Sequence, residues 1–155
     1  MTLRQLIQSA ETLPAPGVDS IVEYDQKQEQ MVAMLNQIMK DRKDLKQLIG
    51  EGNLDMMLEN HRNHARFIAS FLVVFEPQLL VNTVLWVFRA YRSHGFRLTY
   101  WPAQLHQWMV VLEQCLSPQA FNQIAPLYNW MIINQPAFAA LSDECLESPE
   151  GIKHI

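Results

Sequence analysis

Between Glu76 and Asp143 the chain runs 66 residues with four charges, Arg89, Arg92, Arg97 and Glu113. The 76 residues before that stretch carry 19 charges. A span so poor in charge has little to offer water, so it belongs inside its own fold, against a partner, or around a ligand. The protein is a solvated half joined to a nearly uncharged one. At 155 residues and 49% hydrophobic content it is the size of one domain, with core enough to need no disulfide.

Charge and cysteine usage narrow the function class. A net charge of −4 argues against nucleic acid, which demands a clustered basic surface. Cys115 and Cys145 lie thirty residues apart with no CxxC spacing, so both read as ordinary thiols of a reducing, cytoplasmic compartment. The acids Asp143, Glu144 and Glu147 beside Cys145 would suppress its thiolate. Residues 1–10 are amphipathic and lack the apolar core of a secretory signal. The longest apolar stretch, 67–88, is interrupted by Glu76-Pro77-Gln78 and by Asn82-Thr83. Two buried helices meeting at a turn explain it better than a membrane span.

Periodicity predicts helices throughout and no sheet, in a single compact all-α domain of five to six helices. Residues 2–13 form a short amphipathic helix with Thr2 as N-cap, and Pro14-Ala15-Pro16-Gly17 is a linker. Ser20 and Glu23 have the spacing of a capping box. From there one long helix is expected over 20–49. Its heptad seam is Ile21, Tyr24, Gln28, Met31, Leu35, Ile38, Arg42, Leu45 and Ile49, a strip that wants one partner helix or packs on its own core. A second helix covers 54–75 and ends at Glu76-Pro77. The third, 78–93, is apolar nearly all round and is expected at the centre of the fold. His94-Gly95 ends it, and further helices open at Pro102 and at Ser117-Pro118. Pro126 should kink or split the last of these. The resulting division is a helix and linker over 1–19, an all-α domain over 20–142, and an acidic, frayed tail over 143–155.

Three constellations could carry chemistry. His61 and His64 both fall on the apolar arc of their helix, where an imidazole needs a hydrogen-bond partner or a ligand. With His94 on the next helix they are candidates for a transition metal, haem or another tetrapyrrole, although hydrogen bonding across the core or at an interface edge explains the pair better. Neither a repeated Glu-x-x-His nor a His-Glu-x-x-His motif supports them. Around Arg89, Arg92 and Arg97 the aromatics Tyr91, Tyr100 and Trp101 make a patch without an acid, fit for a small anion or a protein hot spot. Residues 117–142 are uncharged but rich in amides. There Asn122, Tyr128, Asn129 and Trp130 point to a subunit interface. No nucleophile or acid–base pair converges, so the chain reads as no enzyme and needs no cofactor.

The helix order over 54–134, with Leu85-Trp86-Val87-Phe88-Arg89-Ala90-Tyr91-Arg92 leading into His94-Gly95-Phe96, resembles bacterial globin-like sensor domains. That family includes non-haem members that dimerise upstream of signalling modules. The resemblance implies a globin-like or bundle architecture and a regulatory homodimer that binds a protein partner. The expected function is therefore a non-enzymatic sensory module, with a metal- or tetrapyrrole-binding sensor built on His61 and His64 as the alternative.

Overall fold

A computed structural model describes residues 1–147, the last three in backbone only, and every regular element in that span is helical. Helix α1 (Leu3–Ala10) opens with a capping box: Thr2 Oγ1 accepts the Gln5 amide at 3.1 Å while Gln5 Oε1 accepts the Thr2 amide at 2.9 Å. There follow α2 (Val18–Gln26), α3 (Gln28–Lys40), α4 (Leu45–Ile49), α5 (Leu54–Val74), α6 (Pro77–Arg92), α7 (Tyr100–Cys115), α8 (Pro118–Ile133) and α9 (Gln135–Glu147). Nine helices thus stand, among the described residues, where five to six were expected.

Most of the excess comes from the expected long helix, which breaks twice. Lys27, at φ −99° and ψ 6°, separates α2 from α3, and Asp41 to Asp44 form a turn before α4. The Ser20–Glu23 capping box does not form, because α2 is capped three residues earlier at Gly17 and Ser20 is buried inside it. Glu23 reaches away to the α7–α8 turn instead, and Lys27 Nζ donates to the Cys115 carbonyl at 2.6 Å. Arg42 folds back on Asp44 through two bonds of 2.9 Å rather than joining a seam. The buried line is Tyr24, Met31, Leu35 and Met39, and the helices that carry it pack on α5, α7 and α8 of the same chain.

The centre of the fold is α7, not α6. Helix α7 packs between α3 and α8 and buries Tyr100, Trp101, Leu105, Trp108, Val111 and Leu112. Helix α6 packs on α9 and α1 and leaves Leu79 48% and Trp86 49% exposed. An all-apolar helix is buried only if neighbours surround it, and α1 is two turns long. Pro126 does not break α8. Its missing amide strands only the carbonyl of Asn122, a residue that faces solvent. The break falls at Asn134, whose side chain caps α8 by donating to the Trp130 carbonyl at 2.8 Å. Helix α9 then continues to Glu147, through the start of the segment expected to be a tail; the remainder, 148–155, lies outside the described residues, as does the Cys145 side chain.

Two glycine turns close one end of the molecule. Gly50 and Gly95 take φ of 83° and 104°, which only glycine adopts without strain. Asn53 Nδ2 joins them by donating to the Ile49 carbonyl at 2.7 Å and the His94 carbonyl at 2.8 Å. Among the described residues no helix is long and apolar enough to cross a membrane.

Candidate ligand-binding cavity

Helix α5 turns Asn60, Asn63, His64 and Phe67 toward α6 and α7, as their three- and four-residue spacing dictates. Between these helices, with Met131 of α8 and Gln135 of α9 closing the far side, lies a cavity of about 310 Å3. Its walls are mostly aromatic and aliphatic, and no Asp, Glu, Lys or Arg among the described residues lines it. Asn63 and Trp86, both exposed, mark the mouth. Concave, apolar sites with a few convergent polar groups are where small molecules bind.

His64 is the one described histidine on this wall. Its ring stacks on Trp108 at 4.8 Å and meets Tyr128 edge-on at 5.4 Å. His64 Nε2 lies 2.8 Å from the Tyr128 hydroxyl, which lies 2.7 Å from the Tyr24 hydroxyl. Tyr24 is fully buried and has no other acceptor among the described residues, so its proton must go to Tyr128. Tyr128 then donates to His64 Nε2, which places the imidazole proton on Nδ1. Burial pushes the His64 pKa down to about 3, with the neighbouring His61 adding to the effect. The ring is therefore neutral at pH 7, with Nδ1–H unpaired by any described residue.

A second network stands behind the cavity. His61 Nδ1 lies 2.7 Å from Asn36 Oδ1, and His61 Nε2 lies 3.1 Å from the Tyr100 hydroxyl. Burial lowers the His61 pKa to about 3 as well. Tyr100 lies 3.0 Å from Asn60 Oδ1, and Gln104 Nε2 donates to that same oxygen at 2.6 Å. Gln104 Nε2 also donates to the Tyr100 oxygen at 3.0 Å. Burial raises the Tyr91 pKa and the Glu59 charge adds to it, while hydrogen bonding from the Asn60 and Asn63 amides opposes it.

The residues singled out from sequence scatter. Tyr91, Tyr100 and Trp101 are buried in an aromatic cluster with Phe88 and Phe96, so the arginine patch has no aromatic surface. Arg92 Nη1 is held by Ser142 at 2.8 Å and Asp143 at 2.6 Å; Arg97 is exposed, and Arg89 Nε is buried without a partner among the described residues. Tyr128 and Trp130 face inward, the latter donating to Ser9 Oγ at 2.9 Å, while Asn122 and Asn129 face solvent. His94 is exposed at the end of α6, apart from the other two histidines. His61 has both ring nitrogens engaged, and no described group of three His, Cys, Asp or Glu is placed to hold a metal. Reasoning from sequence missed Asn60, Gln104 and Tyr24, although a lone amide on an otherwise apolar face, as at Gln104 between Trp101 and Trp108, was a readable signal. Comparison of the chain with family models, with curated proteins and with solved structures finds no match.

Proposed function

We propose that this protein is a non-enzymatic sensory module that holds a small, neutral, mainly apolar molecule in the cavity beneath α6. The observation that carries this reading is the cavity itself. It is apolar, about 310 Å3 in volume, and flanked by buried polar side chains whose hydrogen-bonding capacity the protein does not exhaust. Catalysis has less support, because the one imidazole on the wall is too weak a base for proton transfer near neutral pH. A metal or tetrapyrrole on His61 and His64 has less support too, since three of their four nitrogens already serve protein partners. A small anion would meet no cation inside. The partner contact of a regulatory module, whether with another protein or a second copy of this chain, would fall on α6, where Leu79 and Trp86 stand two turns apart and exposed.

Thermal denaturation with benzene, indole and naphthalene tests the reading. At saturation a ligand of the folded state raises the melting temperature, and at a hundredfold excess over Kd it adds about 2.7 kcal/mol. Val84→Trp, which fills the cavity from α6, should abolish the shift. If none of the three probes raises the melting temperature at its solubility limit, the cavity is not a binding site.

A further inference from the structure

We propose that Asn60 and Gln104 form a reading edge that selects planar ring systems carrying a cyclic amide, an adjacent N–H donor and C=O acceptor. The proposal rests on the cavity reading above and names the class of molecule it admits.

Hydrogen-bond accounting leads to it. Gln104 Nε2 spends its two N–H groups on Asn60 Oδ1 and on the Tyr100 oxygen. That leaves Gln104 Oε1 as an acceptor without a partner among the described residues, and Asn60 Nδ2 as a donor with one N–H toward the Tyr91 hydroxyl and the other free. Both side chains are deeply buried, Asn60 at 4% and Gln104 at 2% exposure, and both line the cavity. The buried polar atoms that lack both a partner and any exposure are Arg89 Nε, Trp101 Nε1 and Trp108 Nε1 among the described residues. Gln104 Oε1 is not of that kind, so it keeps access to open space, and the space that Gln104 and Asn60 both border is the cavity. Turning both amides over reverses the shared bond and still leaves one donor and one acceptor free. A buried, unpaired amide group is costly, so the edge is complete only when an occupant answers it.

The rest of the cavity sets the frame around that edge. Phe88 and Trp101 stack at 5.0 Å and both line it, while Phe67 and Trp86 flank the mouth side, so flat rings suit the walls. The volume of about 310 Å3 is roughly twice the ~150 Å3 of an apolar cavity that accepts benzene, which corresponds to two fused rings. With no ionised side chain of the described residues on the wall, the occupant is neutral. His64 Nδ1–H is available for a second polar group on the same ligand.

Three isosteric probes separate the parts of this argument: 2-quinolone carries the N–H and C=O pair, coumarin replaces the N–H by a ring oxygen, and naphthalene has neither. Titration of the full chain by calorimetry and by tryptophan fluorescence gives their affinities. The expected result is 2-quinolone binding at least about tenfold tighter than coumarin, because the ring oxygen of coumarin leaves Gln104 Oε1 unanswered. In Gln104→Met the preference should fall to about onefold while naphthalene still binds; the probe series itself decides the matter if that variant folds poorly. Equal affinity for 2-quinolone and coumarin, with naphthalene also bound, overturns the reading edge and leaves the cavity as a site. Failure of all three to bind overturns the cavity reading and the edge together.

Discussion

The carboxylate of Glu23 accepts the backbone amide of Ser117 at 2.5 Å and its hydroxyl at 2.8 Å, across 94 residues of sequence. Ser117 Oγ in turn accepts the Ala120 amide at 3.2 Å, so a side chain of α2 braces the N-cap of α8. One turn along α2, Lys27 takes the Cys115 carbonyl at the end of α7. Both orphan ends of the α7–α8 turn are thereby satisfied from one helix, and the demand for Lys27 there coincides with the break between α2 and α3.

That bracing is sensitive to acid. The Ser117 amide holds the Glu23 pKa below its usual value, against a smaller opposing effect of burial and with help from the Ser117 hydroxyl and Lys27. A lowered folded pKa means stability that is present above the unfolded value of ~4.3 and lost as pH falls through the folded one. Glu23 is partly exposed, so Glu23→Gln should cost about 1 kcal/mol at pH 7, a fall of ~2–4 °C in melting temperature. The gap to wild type should be smaller at pH 4, below the unfolded value, than at pH 7. Melting curves at the two pH values that show a constant gap would rule the ionic contact out.

The chain from Tyr24 through Tyr128 to His64 makes its two phenols unequal. Removing the Tyr128 hydroxyl orphans both the Tyr24 hydroxyl and His64 Nε2, whereas removing that of Tyr24 leaves the bond to His64 in place. Urea unfolding should therefore place Tyr128→Phe about 2 kcal/mol below wild type and Tyr24→Phe about 1 kcal/mol below. The double variant should lose less than the sum, since one bond is common to both singles. Equal losses, strictly additive, would show that the relay is not formed.

His61 and His64 titrate in the unfolded chain near ~6.5 but in the folded protein only at about 3, burial being the main cause. Below pH 6.5 the unfolded state takes up protons that the folded state refuses. The stability these two groups contribute is thus fully present above that pH and lost progressively toward pH 3. At ~1.4 kcal/mol per unit, each histidine should subtract about 2 kcal/mol between pH 7 and pH 5. Denaturant titrations give the slope, and imidazole resonances from isotope-labelled protein give the protonation state. A folded-state titration of either ring near pH 6.5 would contradict the burial argument.

Signals that act within a few residues are legible in the sequence. Thr2 caps α1 where it should, Ser117-Pro118 opens α8, Pro77 opens α6, and Gly95 carries the positive φ that ends the 78–93 stretch. Amphipathic spacing identifies α5 almost to the residue, because one face of that helix meets the core evenly along its length. The same spacing puts His61 and His64 on the inner side but does not separate their roles. One ring ends in a closed network and the other opens on a cavity, and the difference lies in Asn36, Tyr100 and Tyr128, which are 25, 39 and 64 residues away.

Composition and periodicity by themselves determined that the described residues fold into helices, where many of the helix ends fall, and that the low-charge half supplies the larger part of the core. Tertiary structure alone decided which apolar helix occupies the centre. The choice of α7 over α6 depends on how many neighbours each one has, and hydrophobicity along a sequence carries no count of neighbours. It also decided that Tyr91, Tyr100 and Trp101 pack inward while the arginines among them part company, and that Glu23 serves α8 rather than its own helix. The cavity is of the same origin: it is a gap left where α5, α6 and α7 pass one another, and a gap has no residue of its own to be read.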